Sequence, residues 1–225
     1  MDWIHHYQLF LFDFDGLLVN TEEIHFAAYQ RMLKRRGYNL PWDFPRYCKA
    51  AHYDSEALSI QIYEEFPALL KEEPRWAKAL YLEKKQAYME LLEEGAVKLM
   101  PGACELLLAL QAANIKRSVV THSPSEQIDS IRQQLPVLNT ISEWFTREHY
   151  TRPKPDPECY IKAIQKMALE NEKIIGFEDT PRGIKALQGS RAQVVMICSP
   201  DYPGLKDVSK EGGLVHFPTL AAVKM

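Results

Sequence analysis

The chain has 225 residues, of which 46% are hydrophobic and 25% are charged. This composition is typical of folded globular proteins and excludes a largely disordered chain. The length suits one domain with a sizeable insertion, or two small domains. The 27 basic and 30 acidic residues are spread along the chain and leave a net charge of −3. The basic surface that nucleic acid requires is therefore not expected.

The sequence favours a cytoplasmic protein with no membrane partner. No segment reaches the roughly 20 consecutive apolar residues that a membrane-spanning helix needs, and no secretory leader pattern is recognisable. The cysteines lack the spacing of a zinc site or a redox motif. We therefore expect free thiols in a reducing compartment. The four cysteines are Cys48, Cys104, Cys159 and Cys198.

The first predicted element is a buried strand at residues 9–12, and a long interval without any comparable apolar run follows it. A parallel crossover needs far fewer residues, so residues 21–98 predict an inserted helical cap domain. Prolines separate its three helical patterns, which span residues 22–36, 54–66 and 75–94. Its aromatic residues are expected to form its core, namely Tyr29, Tyr63, Trp76, Tyr81 and Tyr88.

The rest of the chain alternates strand and helix patterns. Strands are predicted at residues 118–120, 174–177 and 194–197, and helices at residues 103–113 and 158–168. This alternation is typical of a doubly wound parallel sheet with helices on both faces, a Rossmann-like α/β fold. Residues 1–20 and 99–225 are therefore predicted to form the α/β core domain.

Polar residues follow three of the predicted strands. Asp13 and Asp15 come after the first, Thr121 after the second, and Glu178 and Asp179 after the third. Ligands of open parallel sheets bind at the carboxyl ends of the strands, where these side chains are expected to meet. Clustered carboxylates repel one another and favour a hard cation, of which Mg²⁺ is the natural candidate. A phosphate group would need cationic and hydroxyl contacts, which Lys154 and Thr121 could supply.

Four motifs in this order resemble those of the haloacid dehalogenase (HAD) superfamily. They are DFDGLLVNTE at residues 13–22, VVTH at 119–122, KPDP at 154–157 and GFEDTPRGI at 176–184. The chain looks like the helical-cap branch, which includes β-phosphoglucomutase and phosphoglycolate phosphatase. One such motif alone would be a weak signal, but four in order along nearly the whole chain are specific.

The resemblance implies a HAD-like phosphoric monoester hydrolase. Asp13 would be the nucleophile that forms an aspartyl phosphate, and Asp15 would be the general acid and then the general base. Thr121 and Lys154 would bind the phosphoryl oxygens. The implied magnesium ligands are Asp13, the backbone carbonyl of Asp15, Asp179 and Glu178, with an outer position also open to Glu178.

The expected substrate is a small phosphorylated metabolite such as a sugar phosphate. Gly16 is expected to let the backbone pass close to the phosphate. The resemblance also implies that the cap selects the substrate. The predicted substrate-binding set is Gly16, Thr21, His25, His122 and Ser123. The protein is expected to be a monomer or a weak homodimer.

Simpler interpretations remain open for several residues. Thr121 could be an ordinary helix N-cap, and Glu178 with Asp179 could cap the next helix. His25 could be a packed helix residue or could assist proton transfer, as a matching histidine does in β-phosphoglucomutases.

Two other functions also remain open. The first is phosphate transfer like that of β-phosphoglucomutase. Residues 50–55 (AAHYDS) contain no arginine, whereas the mutases carry one in that region of the cap, so this function is the less favoured. The second is non-catalytic binding of a phosphorylated metabolite, which is disfavoured because every motif residue is present.

Overall fold

The computed structural model describes residues 1–51, 57–76, 79–202, 205–208 and 214–225. The chain divides into two compact units, residues 1–20 with 98–225 and residues 21–97. Within the described residues, no helix combines the length and the apolar character that crossing a membrane requires. The cytoplasmic location stays a prediction.

The first unit contains a parallel sheet whose six strands lie in the order β3-β2-β1-β4-β5-β6. Both central strands are covered by side chains, since every residue of β1 and β4 is buried. This is why residues 9–12 and 174–177 appear in the sequence as continuous apolar runs, to which β4 adds the buried Glu178. The strands are β1 (Leu9–Phe12), β2 (Lys116–Val120), β3 (Glu143–Phe145), β4 (Ile174–Glu178), β5 (Gln193–Ile197) and β6 (Val215–Phe217).

Helices connect the strands of this unit. They are α6 (Ala103–Ala112), α7 (Ser125–Gln134), α8 (Glu158–Met167), α9 (Pro181–Gln188) and α10 (Leu205–Val208). The strand order runs outward from β1 to β3, returns to β4, and continues outward to β6. Right-handed crossovers therefore place α6 and α7 on one face of the sheet, and α8 and α9 on the other. The reversal falls between β1 and β4, where a parallel sheet opens a crevice at its carboxyl edge.

The second unit contains five helices, α1 (Thr21–Arg35), α2 (Phe44–Ala51), α3 (Ala57–Glu65), α4 (Pro67–Glu72) and α5 (Leu80–Glu93). Helices α1 and α5 run antiparallel. Ion pairs along the two helices show this direction, since they join Arg31 to Glu94, Arg35 to Glu90 and Arg36 to Glu83. These pairs are partly exposed, so each contributes little on its own and the buried helix faces supply most of the stability.

The predicted α/β fold class is confirmed, and each of the four predicted strands is present. The sequence did not reveal β3 and β6, which are the short outer strands. One part of the cap prediction is wrong, because Tyr81 is 51% exposed. The buried positions of α5 include Leu80 and Lys84, and Tyr81 lies on another face of the helix. The predicted helix start at Asp54 lies outside the described residues.

Candidate active site

The buried acidic cluster lies at the carboxyl ends of β1 and β4. Phe12 pairs with Phe177 in the sheet register, and the backbone N–H of Asp13 donates to the Phe177 carbonyl at 3.0 Å. This pairing brings the residues that follow the two strands side by side. Carboxylate oxygens of Asp13, Glu178 and Asp179 lie within 4.8 Å of one another, and all three residues are buried.

A tight turn after β1 shapes the approach to Asp13. Gly16 has a positive φ of 81°, a conformation that costs glycine little and other residues more. Its N–H donates to the Val19 carbonyl at 2.8 Å. The Asn20 N–H then donates to the Lys98 carbonyl at 3.0 Å. The chain therefore leaves the sheet unit and returns to it at neighbouring positions, just beyond the turn.

Lys154 is the buried cation of the site. Its Nζ donates to Asp13 Oδ1 at 2.5 Å, to Glu178 Oε1 at 2.7 Å and to the Val120 carbonyl at 2.8 Å. An ammonium group has three donors, so these three acceptors use all of them. Contact between Lys154 and a phosphoryl oxygen would need one of these bonds to be exchanged. Burial opposes the charge, but Asp13 and Glu178 raise the pKa of Lys154 well above its usual value.

Asp13 has an unusual electrostatic environment. Burial, followed by repulsion from Glu178 and Asp15, raises its pKa to about 8, although Lys154 acts in the opposite direction. Three carboxylates and one ammonium group leave an uncompensated negative charge in a buried site. A divalent cation would offset that charge and favour the ionised form of Asp13.

Asp15 is held by the loop that follows β2. Thr121 Oγ1 donates to Asp15 Oδ2 at 3.0 Å, and Ser123 Oγ donates to the same oxygen at 2.7 Å. Thr121 Oγ1 also accepts the Ser123 N–H at 2.9 Å, and Thr121 is fully buried. The two hydroxyls therefore fix the orientation of the Asp15 carboxylate. Thr121 could contact a phosphoryl oxygen only by giving up its bond to Asp15.

His122 contacts the lysine loop rather than the carboxylates. Its Nε2 accepts the backbone N–H of Lys154 at 2.8 Å, so this nitrogen carries no proton. Burial and the nearby charges of Lys154, Arg182 and Arg147 lower the pKa of His122 to about 3. The imidazole is neutral at physiological pH and anchors the start of the Lys154 loop.

Two further residues hold Glu178, and the sequence analysis assigned neither of them a role. The Tyr160 hydroxyl donates to Glu178 Oε1 at 2.5 Å. A tyrosine on the apolar face of α8 was the available signal, because a buried hydroxyl needs a partner.

Gly183 leaves space for the other oxygen of Glu178. A Cβ atom on Gly183 would lie 1.9 Å from Glu178 Oε2, so only glycine lets the first turn of α9 pass this carboxylate. Thr180 caps α9 by accepting the Gly183 N–H at 3.2 Å.

Thr21 and His25 belong to the helical unit. Thr21 is the first residue of α1 and is fully buried. The His25 ring stacks on Tyr88 with centroids 4.2 Å apart, and its Nδ1 lies 2.7 Å from Lys84 Nζ. Lys84 also lies over the Tyr29 ring, 5.1 Å from its centroid. The substrate contacts predicted for Thr21 and His25 stay predictions.

The residues present fit a hard divalent cation. Asp13, Glu178 and Asp179 offer only carboxylate oxygens, and no cysteine or histidine belongs to this cluster in the described part of the chain. Oxygen ligands of this kind suit Mg²⁺, which binds through a few carboxylates and keeps several waters.

A comparison with protein families matches residues 10–197 to the haloacid dehalogenase-like hydrolases. The chain belongs to this family. It is 31% identical over 183 residues to validoxylamine A 7'-phosphate phosphatase of Streptomyces hygroscopicus subsp. limoneus, with 80% of each chain covered. It is 26% identical over 180 residues to a phosphorylated carbohydrates phosphatase of Thermotoga maritima, again with 80% of each covered.

The fold of this HAD-like hydrolase is similar to that of CbbY from Rhodobacter sphaeroides, solved in complex with phosphate. The TM-score is 0.73 at 19% identity, covering 96% of this chain and 95% of the other. At that identity the likeness shows the fold alone. The predicted superfamily is confirmed, and the chain is a HAD-family phosphoric monoester hydrolase.

Proposed function

We propose that the protein is a magnesium-dependent phosphatase that hydrolyses a small phosphomonoester through a phosphorylated Asp13. The observation that carries this proposal is a buried Asp13 carboxylate that contacts Lys154 and lies beside Glu178 and Asp179. Burying a carboxylate costs free energy unless its charge is paired with another charge or with a metal ion. The raised pKa of Asp13, to about 8, is the kind of perturbation that marks functional sites.

In the first step, Asp13 attacks phosphorus. Lys154 donates to Oδ1, which leaves Oδ2 as the attacking oxygen. A bond forms between Oδ2 and phosphorus while the bond from phosphorus to the ester oxygen breaks. Asp15 gives its proton to the departing oxygen, so that an alcohol leaves. Thr121 and Ser123 donate to Asp15 and keep its carboxyl group oriented for this transfer.

In the second step, water attacks the phosphorus of the acyl phosphate. Asp15, now ionised, takes a proton from the water, and the bond between Oδ2 and phosphorus breaks. Inorganic phosphate leaves and the Asp13 carboxylate is restored. Splitting one difficult displacement into two easier ones is the advantage of a covalent nucleophile. Lys154 balances the negative charge on Asp13 and the phosphoryl group in both steps.

Asp13, Asp179 and the backbone carbonyl of Asp15 would hold Mg²⁺, with Glu178 as a ligand or an outer partner. The bound cation would supply charge stabilisation to the phosphoryl oxygens. Lys154 and Tyr160 already hold Glu178 Oε1, which supports the outer position for this residue.

A phosphorylated sugar or polyol is the proposed substrate class. The support is the similarity to two phosphatases whose names specify a phosphorylated carbohydrate and validoxylamine A 7'-phosphate.

The mutase alternative is disfavoured by the cap stretch at residues 50–55, which contains no arginine. Residues 50–51 of that stretch are described, and residues 52–55 lie outside the described residues.

The proposal is tested by measuring phosphate release from p-nitrophenyl phosphate and from a panel of sugar phosphates. Turnover is expected with Mg²⁺, and chelation should abolish it reversibly. Movement of phosphate between positions of one sugar, with little phosphate released, would indicate a mutase instead. Binding of panel members without any turnover would support the non-catalytic alternative and contradict the proposal.

A further inference from the structure

Tyr160 is a tyrosine within the hydrophobic core, at the point where the core meets the buried charges of the site. The residue lies on α8 and is 0% exposed. Its neighbours on the buried face of the helix are Cys159, Ala163 and Ile164. A phenylalanine would fill the same volume without any polar group to satisfy. The hydroxyl therefore points to a specific partner, and that partner is the Glu178 carboxylate.

Both carboxylate oxygens of Glu178 are held by neighbouring groups. Its Oε1 accepts from the Tyr160 hydroxyl at 2.5 Å and from Lys154 Nζ at 2.7 Å. Its Oε2 accepts the Asp179 N–H at 3.3 Å and faces the backbone at Gly183. Two donors on one oxygen and a close backbone on the other leave this carboxylate one orientation. Of these two donors to Oε1, Lys154 is also paired with Asp13, whereas Tyr160 is a neutral hydroxyl on the buried face of α8.

The Tyr160 ring also contacts Lys154. The ammonium nitrogen lies 5.0 Å from the ring centroid, within the range of a cation–π interaction. The same side chain thus holds the anion through its hydroxyl and the cation through its ring. Lys154 then reaches Asp13 at 2.5 Å.

We propose that Tyr160 is a positioning residue that sets the affinity of the acidic cluster for its divalent cation and aims Lys154 at Asp13. The proposal rests on the proposed function, because it assumes that this cluster binds the cation. Tyr160 acts through Glu178 and Lys154 and does not touch the reacting atoms. Without the hydroxyl, Lys154 is the remaining donor to Glu178 Oε1 among the described residues, and both groups can turn away from the geometry that serves the cation and Asp13.

The test compares Tyr160→Phe with Tyr7→Phe in the full chain. Each change removes one hydroxyl that donates to a side-chain oxygen, but Tyr7 donates to Gln193 Oε1 at 2.6 Å, at the amino end of the sheet. Mn²⁺ binding is measured by electron paramagnetic resonance, together with kcat, KM and thermal unfolding. For Tyr160→Phe we expect the Mn²⁺ dissociation constant to rise by about 10-fold or more, as loss of an outer partner typically produces. A fall in kcat larger than the change in KM is also expected.

A Tyr160→Phe variant that binds Mn²⁺ and turns over like the wild type overturns the proposal, whatever its melting temperature. A variant that stays unfolded even with Mg²⁺ assigns the hydroxyl to stability and overturns it as well. The Glu178→Met background gives an independent check, because methionine has a similar length but no oxygen to accept from the Tyr160 hydroxyl. Adding Tyr160→Phe there should change Mn²⁺ binding by less than 2-fold if Tyr160 acts through the carboxylate, because additive effects belong to separate sites.

The two proposals fail in different ways. If the wild type binds Mn²⁺ but releases no phosphate from any ester, the proposed function is wrong and the Mn²⁺ measurements still decide the role of Tyr160. If the wild type is an active phosphatase and Tyr160→Phe matches it in every measurement, only the role of Tyr160 is wrong.

Discussion

Lys154 Nζ lies 2.5 Å from Asp13 Oδ1, although the two residues are 141 positions apart in the chain. Both groups are buried, and the same ammonium group also contacts Glu178 at 2.7 Å. Each charge in this set is therefore stabilised mainly by the others rather than by water. Removing any one of them is expected to affect stability, cation binding and catalysis together, and the predictions below separate these effects.

Asp13→Asn should leave the fold intact and abolish turnover. The amide keeps the shape of the carboxylate but cannot attack phosphorus. Loss of a covalent nucleophile typically lowers kcat by about 10³-fold or more. The measurement is phosphate release at saturating Mg²⁺, with far-UV circular dichroism to verify the fold. Asp129→Asn is the matched control, because Asp129 forms an ion pair on the exposed surface of α7 with its side chain 66% accessible. Activity of Asp13→Asn near that of the control would exclude Asp13 as the nucleophile.

Lys154→Met should destabilise the metal-free protein strongly. The change leaves Glu178 buried without its cation, and breaking a buried pair in this way costs roughly 3 kcal/mol or more. The free energy of unfolding is measured by urea denaturation in chelator and again in Mg²⁺, which should recover part of the loss. Lys162→Met removes an exposed ion pair with Glu158 and should cost less than about 1 kcal/mol. Equal costs for the two variants would contradict the structure of the site.

The metal-free protein should lose stability as the pH rises from about 6.5 to 8. The pKa of Asp13 is raised from 3.8 to about 8, so the folded state keeps a proton that the unfolded state has already released. Stability therefore falls with rising pH across that interval. His122 acts in the opposite direction, because its pKa is lowered to about 3, but its contribution changes only below about pH 6.5. Urea denaturation in chelator should show the slope, and Asp13→Asn should flatten it.

Cation binding should release protons for the same reason. Because the pKa of Asp13 is raised to about 8, we expect the metal-free site to hold a proton on Asp13 at pH 7, whereas a bound divalent cation favours the ionised carboxylate. Adding Mg²⁺ to the wild type in weak buffer should release up to about one proton per site. Asp13→Asn should release far less. Equal release from both proteins would assign the proton to another group.

Gly183→Ala should damage the site although it adds a single methyl group. The new Cβ would lie 1.9 Å from Glu178 Oε2, so either the carboxylate or the start of α9 must move. We expect kcat/KM to fall by about 10-fold or more, as displacement of an outer partner of a cation typically produces. Lys185→Gly, at an exposed position of the same helix, is the control for a change in helix propensity, which costs about 1 kcal/mol. An active Gly183→Ala enzyme with wild-type Mg²⁺ affinity would show that Glu178 tolerates displacement.

The sequence by itself determined the fold class, the central strands and the identity of the carboxylates. The strands Leu9–Phe12 and Ile174–Glu178 are buried on both faces of the sheet, and the apolar character of residues 9–12 and 174–177 follows directly from that burial. The outer strands were missed because Glu143–Phe145 and Val215–Phe217 are three residues each and mix polar with apolar side chains. Such short segments become strands by pairing with a neighbour, which no local pattern reports.

Only the tertiary structure decided how the site residues are used. The motifs identify Lys154, Thr121 and His122, but not that Lys154 uses all three donors on protein oxygens, that Thr121 holds Asp15, or that His122 anchors the lysine loop. Tyr160 has the local sequence of a core residue, and its hydroxyl gained a role only because the fold places it against Glu178 at the end of β4. Hydrogen-bond partners depend on which distant segments the fold brings together. Residue types predict the chemistry available to a site, whereas long-range packing decides which groups carry it out.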